Sequence, residues 1–215
     1  MHDPTYRQYA ITFVENHDMQ YRSKDEPLDP LKRDTLAANA YMLAMPGTPC
    51  VFQPHWRAYK QEIKSMIEAR KLAGITNMSN YTTKMAQPAC FANETTGNKA
   101  KLIVVVGNTK AYTPGTDYAQ ILEGYHYRYY LSKSAETAWC NIPSGEYEAG
   151  FKAKLTAVSQ NSNAKLVYTT DGTDPTAKSK QVATGNTINI DETCTLKVGL
   201  LSNGTVTGIR TYNYT

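Results

Sequence analysis

The chain has 215 residues, a formal charge of +4, 41% hydrophobic and 20% charged residues, an ordinary globular mix that excludes a disordered or fibrous chain. Its Lys and Arg residues are dispersed rather than clustered with stacking aromatics, which argues against nucleic-acid binding, and no run approaches the ~18 apolar residues of a membrane span. Residues 1–20 lack the basic start and apolar run of a signal peptide, and the length admits one large domain or two to three small ones.

The first texture in chain order is an alternation of strand and helix. Tyr9 to Val14 (YAITFV) reads as a short buried strand, with Glu15, Asn16, His17 and Asp18 following in a polar loop. Asp29-Pro30 supplies an N-cap and a first-turn proline, and Leu36, Ala37, Ala40, Tyr41, Leu43 and Ala44 mark the apolar face of a helix that stops at Met45-Pro46-Gly47. Thr48 to Gln53 reads as a second buried strand. Tyr59, Ile63, Met66, Ile67 and Leu72 then share a face of a second helix, closed by Gly74. Strand, helix, strand, helix is the pattern of parallel α/β architecture, in which ligand chemistry gathers in loops after the strands' C-terminal ends.

From about Ser79 the helical period gives way to β-type runs separated by Gly, Asn, Thr and Pro. Lys101 to Val106 is a buried strand. Ala119 to Leu131, containing GYHYRYYL, reads as one strand with Tyr125, Tyr127 and Tyr129 on one face and His126, Arg128 and Tyr130 on the other. Such a row suits sheet packing better than a sugar platform. After a boundary at Pro143-Ser144-Gly145, strands are expected at Phe151–Ser159, Leu166–Thr169, Thr187–Ile190, Thr195–Leu201 and Thr205–Tyr214, with tight turns at Asp171-Gly172 and Asn203-Gly204. This spacing fits an immunoglobulin-like β-sandwich.

Cys50, Cys90, Cys140 and Cys194 form no Cys-x-x-Cys pair and have no His at ligand spacing, so a metal site is not expected. Long-range disulfides are one reading. Buried thiols are favoured, because Cys50 and Cys194 lie in apolar strand-like runs.

The cluster that carries chemistry is Glu15-Asn16-His17-Asp18, where a strand delivers an amide, an imidazole and two carboxylates together. From spacing alone, a loop in which Asn16 and Asp18 cap nearby backbone accounts for it equally well. TFVENHD followed about thirty residues later by AYMLAMPGTPCVFQPHW, however, closely resembles the last sequence signature of the α-amylase superfamily of glycoside hydrolases, across residues 5–75. Glu15 stands where the usual form has Asp. The segment AKLVYTTDGTDPTAKSKQVATGNTINI is similar to the sandwich module at the C-terminus of some chitobiases.

The resemblance implies a multidomain α/β plus all-β chain. Residues 1–78 would be the last two β/α units of a TIM barrel, 79–142 the antiparallel β domain that follows it, and 143–215 the sandwich module. Asp18 would be the carboxylate that stabilises an oxocarbenium-like transition state, and Asn16 and His17 would bond sugar hydroxyls. His55 and Trp56 would line the rim, with packing an equal alternative. The implied substrate is α-1,4-glucan, starch or maltooligosaccharide, hydrolysed with retention. The family's nucleophile sits in a Gly-x-Arg-x-Asp-like segment, and Gly208-Ile209-Arg210, followed by Thr211 and Tyr212, does not match it. The isolated chain is therefore expected to be inactive, to need no cofactor of its own (calcium belonging to other segments of the full-length enzyme), and to self-associate through an incomplete barrel. A secreted or periplasmic parent is the leaning. The competing reading is a non-catalytic carbohydrate-binding or spacer module.

Overall fold

The computed structural model describes residues 6, 8–19, 31, 33–148 and 150–215. They are mostly β structure with a few helices, in two compact units. One comprises residues 1–113 with 123–129, the other 114–122 with 130–215.

The first unit begins with a parallel pair. Strand β1 (Ile11–Thr12) runs beside β2 (Thr48–Pro49), the Thr48 N–H donating to the Ala10 carbonyl at 2.9 Å and the Cys50 N–H to the Thr12 carbonyl at 2.8 Å. Parallel strands need a crossover, supplied by helix α1 (Thr35–Ala44). The expected strands Tyr9–Val14 and Thr48–Gln53 are each trimmed to two residues. Pairing persists only where the partner's ladder continues, and the proline of Gln53-Pro54 opens helix α2 (Gln53–Ala58) instead. The Asp29-Pro30 start signal lies outside the described residues; α1 begins at Thr35, with Asp34 in the cap position.

Helix α3 (Lys60–Ala73) ends as expected at Gly74, whose φ of +71° lets its N–H close on the carbonyls of Arg70 and Lys71. Arg70 is buried on the inner face of α3 and donates to the carbonyls of Leu43 (2.8 Å), Met45 (2.5 Å) and Gly47 (2.7 Å). One guanidinium thus satisfies the Leu43 carbonyl in the last turn of α1 and two carbonyls of the segment that follows, and its burial pulls the Arg70 pKa below the ordinary value. Gly47 sits at φ +118°, and a Cβ there would lie 2.6 Å from Thr12 Cγ2, so only glycine allows β2 to approach β1.

Strands β3 (Asn80–Gln87), β4 (Cys90–Thr96) and β5 (Lys101–Gly107) follow as an antiparallel meander. The stretch Ala119–Leu131, expected as one strand, is a hairpin instead: β6 (Tyr118–Gly124) and β7 (Tyr127–Ser132) flank a tip at Tyr125-His126. Tyr125 therefore does not continue the row of Tyr127 and Tyr129, which are buried while Tyr125 is 48% exposed. The physical cause is backbone conformation: His126 takes φ +59°, and its carbonyl accepts the Gly107 N–H at 2.9 Å.

The second unit is built around a β-sandwich. One sheet has the order β11-β10-β13-β14 (Lys180–Val182, Lys165–Thr169, Cys194–Ser202, Thr205–Tyr214), the other β12-β9-β8 (Thr187–Ile190, Phe151–Val158, Thr137–Cys140). Alternate residues point between them, and Leu155, Leu166, Leu196, Val198, Tyr212 and Tyr214 form the core. The buried tyrosines keep their polar ends satisfied: the Cys140 N–H donates to the Tyr212 hydroxyl at 3.0 Å, and the Tyr214 hydroxyl donates to the Ile142 carbonyl at 2.9 Å. Asn203-Gly204 turns at φ +50° and +79°, as its sequence predicts.

All four cysteines are free thiols. Cys90 and Cys140 are buried and Cys194 half-buried, but Cys50 is exposed, against the expectation of burial. The expected strand ends at Pro49, so Cys50 lies just beyond β2 and outside the sheet that would have covered it.

Candidate functional site

The polar loop leaves β1 with two kinds of residue. Glu15 turns inward and is 5% exposed, whereas His17 and Asp18 stand outward on a short 3-10 turn, with side-chain exposures of 87% and 62%. Asn16 Oδ1 accepts the Asp18 N–H at 2.9 Å, an Asx turn that fixes the loop's backbone, and His17 Nε2 lies 3.3 Å from Asp18 Oδ1. The loop therefore presents an imidazole and a carboxylate side by side to solvent.

Beneath it lies a buried chain of hydrogen bonds that motif spacing does not reveal. Glu15 Oε2 is 2.6 Å from His55 Nε2 on α2, and Glu15 Oε1 accepts the Leu31 N–H at 2.8 Å. His55 Nδ1 faces Asn39 Nδ2 of α1 at 3.1 Å, and the same Nδ2 donates to the Thr35 carbonyl at 2.8 Å. The Thr35 hydroxyl returns to the Leu31 carbonyl at 2.7 Å. Turning the Asn39 amide over would aim its oxygen at the Thr35 carbonyl, so Nδ2 donates to both partners. That makes His55 Nδ1 an acceptor and puts the imidazole proton on Nε2, pointing at Glu15. The cost of this orientation is that Asn39 Oδ1 is buried without a partner among the described residues.

Of the residues singled out from sequence, Asn16, His17 and Asp18 share one exposed loop. His55 is 6% exposed with both ring nitrogens engaged and Phe52 edge-on at 5.3 Å, while its neighbour Trp56 is half-buried. Asn39 and Thr35 were missed. Their signal was present, since an amide inside the apolar stripe between Leu36 and Leu43 asks for a buried partner. Among the described residues, no group of three or more His, Cys, Asp or Glu side chains is arranged to hold a metal ion, and no helix is long and apolar enough to cross a membrane.

Residues 142–212 match the chitobiase/β-hexosaminidase C-terminal domain, so the sandwich is a module of that type. Over about half of its length the chain is related to α-amylase-family glucan hydrolases. It is 32% identical over 123 residues to glucan 1,4-alpha-maltotetraohydrolase of Roseateles saccharophilus, covering 53% of this chain and 21% of that protein. The enzyme of the same name from Stutzerimonas stutzeri gives the same identity and coverage. The alpha-amylase type B isozyme of Hordeum vulgare is 33% identical over 101 residues, 46% of this chain and 62% of that protein. A crystal structure of gamma-CGTase from Alkalophilic bacillus clarkii aligns over 97% of this chain and 39% of its own, at 12% identity and a TM-score of 0.44. The chain thus spans about a fifth of the length of the maltotetraohydrolases it matches.

Proposed function

We propose that this chain is the C-terminal part of a retaining α-amylase-type hydrolase of α-1,4-glucans. In this reading residues 1–78 end a TIM barrel, with β1 and β2 as its seventh and eighth strands. Residues 79–142 are the antiparallel domain after it, whose last strand β8 joins the sheet of the appended immunoglobulin-like sandwich of residues 143–215. The observation that carries the reading is the outward Asn16-His17-Asp18 loop, held on the buried Glu15–His55–Asn39 chain at the C-terminal end of a helix-linked parallel strand. Parallel barrels gather catalytic groups at that end.

A second feature supports it. Tyr9, Ile11 and Phe13, alternate residues of the segment around β1, are 74%, 67% and 50% exposed. A strand face this apolar is what barrel layers and a neighbouring strand cover.

Asp18 supplies a fixed negative charge for the positive charge that develops at the anomeric carbon. His17 and Asn16 bond hydroxyls of the sugar being cleaved, contacts that tighten in the distorted ring. Trp56 lines the rim, and His55 serves the site by holding Glu15 and hence the loop. Retention also needs a nucleophile and a general acid about 5–5.5 Å apart, which in this reading come from other segments of the intact enzyme. The isolated chain is accordingly inactive on starch.

The test is the reading frame that encodes the chain. It is expected to specify Gly-x-Arg-x-Asp and Glu segments ahead of residue 1, and its full product to release reducing sugar from soluble starch while the isolated chain does not. A frame lacking those segments, or release by the isolated chain at verified mass, refutes the proposal.

A further inference from the structure

The two faces of β9 meet different surroundings. Ala153 and Leu155 belong to the sandwich core, so by alternation Lys154 and Thr156 stand on the opposite face. There the strand shares a hollow of about 420 Å³ with Ala119 and Gln120 of β6, with Lys133, and with the loops that carry Ser162 and Thr184. That volume lies in the range of small-molecule sites.

Some of its polar groups are already spent. The Ser159 hydroxyl donates to Glu136 Oε2 at 2.7 Å; Asn161 donates from Nδ2 to Ser202 Oγ at 2.6 Å and accepts the Asn163 N–H on Oδ1 at 3.0 Å. The Thr184 hydroxyl accepts the Ala157 N–H at 2.9 Å, which leaves its own proton to give. The hydroxyls of Thr156 and Ser162 and the ammonium groups of Lys133 and Lys154 have no partner among the described residues. Thr156 decides the matter, because it is only 9% exposed and a hydroxyl that deep ordinarily finds a partner. It is not one of the sealed orphan atoms, so what it still exposes opens onto the hollow. Among the described residues, no Asp or Glu side chain lines the hollow, and the neighbouring Glu136 carboxylate is held by Ser159 and by the Gln160 N–H at 2.8 Å. No Phe, Tyr or Trp among them lines it either, so a sugar ring finds no stacking wall there.

We infer that this hollow is an anion site that takes a small phosphate monoester. A phosphoryl group only accepts hydrogen bonds and is close to a dianion at neutral pH. Lys133, half-buried, and Lys154 supply two positive charges from separate elements, and the hydroxyls of Thr156, Ser162 and Thr184 donate to the remaining oxygens. The hollow is larger than a bare ion requires. Its small side chains, Ala119, Ala157 and Ala164, make room for a short organic body attached to the phosphate. None of these residues belongs to the Asp18 loop, and the inference does not rest on the glucan-hydrolase reading.

Calorimetric titration of the whole chain with glycerol 3-phosphate at low salt tests this, with inorganic phosphate and glycerol as companion ligands. The ester is expected to bind saturably, inorganic phosphate more weakly because it leaves the alanine wall unfilled, and glycerol not at all. Lys133→Ala and Lys154→Ala are each expected to weaken the ester about tenfold, the loss of one charge-assisted contact. Thr156→Val keeps the shape of the side chain and loses only the hydroxyl, and is expected to weaken binding several-fold with an unchanged melting temperature. Lys60→Ala, the same change of charge on α3, is expected to bind as wild type. The absence of saturable binding by the wild-type chain overturns the inference. So does binding that survives loss of both lysines, or inorganic phosphate or glycerol binding as tightly as the ester.

Discussion

The carboxylate of Glu15 and the imidazole of His55, forty positions apart in sequence, meet at 2.6 Å in the interior, each less than a tenth exposed. The residue that departs from the usual family signature is therefore the one turned inward, and it anchors the loop that carries Asn16, His17 and Asp18.

Glu15→Ala leaves the His55 Nε2–H and the Leu31 N–H without acceptors. An unsatisfied buried donor costs about 1–3 kcal/mol, so the urea midpoint of the first unit is expected to fall by that equivalent. His55→Ala should do the same by stranding a buried carboxylate. The double variant should cost less than the sum of the two, because the pair is removed together. Additive losses would show that the two side chains act independently.

Arg70 makes three hydrogen bonds to carbonyls in the last turn of α1 and the segment that follows. Arg70→Met keeps the bulk and removes every donor, and is expected to destabilise by about 3 kcal/mol in chemical unfolding. Arg70→Lys should recover little, since a point ammonium cannot span carbonyls that a planar fork reaches together.

Alkaline pH offers a test of the buried tyrosines. Burial, with a smaller contribution from the Glu62 charge, pushes Tyr127 up to about 12, and burial raises Tyr129, Tyr212 and Tyr214 well above the ordinary value of 10. A folded-state pKa above the unfolded one means that the native state holds the proton longer. The stabilisation is whole below pH ~10 and is lost as pH rises through the folded values. Stability is thus expected to be flat to about pH 9.5 and to decline steeply from 10 to 12. Tyrosinate absorbance should show these groups ionising together with unfolding. A gradual titration of every tyrosine near pH 10, with the fold intact, would contradict this.

Much of this was legible in the sequence, and the exceptions share a cause. The sandwich strands Thr187–Ile190 and Thr205–Tyr214 are found where alternation and Asn-Gly placed them, because their signals are local. The hairpin tip was hidden because its positive-φ residue is His126 rather than Gly or Asn, a conformation maintained by contacts with Gly107 and Asp34 that lie far away in sequence. The strand Lys180–Val182 was passed over for a similar reason: its three residues carry no alternation and it exists by pairing with Leu166–Tyr168. At the site, spacing identified the exposed residues. It left His55 open between rim and core, because Glu15, Asn39 and His55 converge only once two helices have packed.

The reading of Asp18 as the transition-state carboxylate is tested most directly by starch hydrolysis with the intact enzyme carrying Asp18→Asn. The substitution keeps size and removes the charge at an exposed position, so the protein should fold with an unchanged melting temperature. Removing a preorganised electrostatic stabiliser typically costs about 10²–10³ in rate, and kcat is expected to fall by at least that much with KM little changed. A kcat within a few-fold of wild type would contradict the assignment.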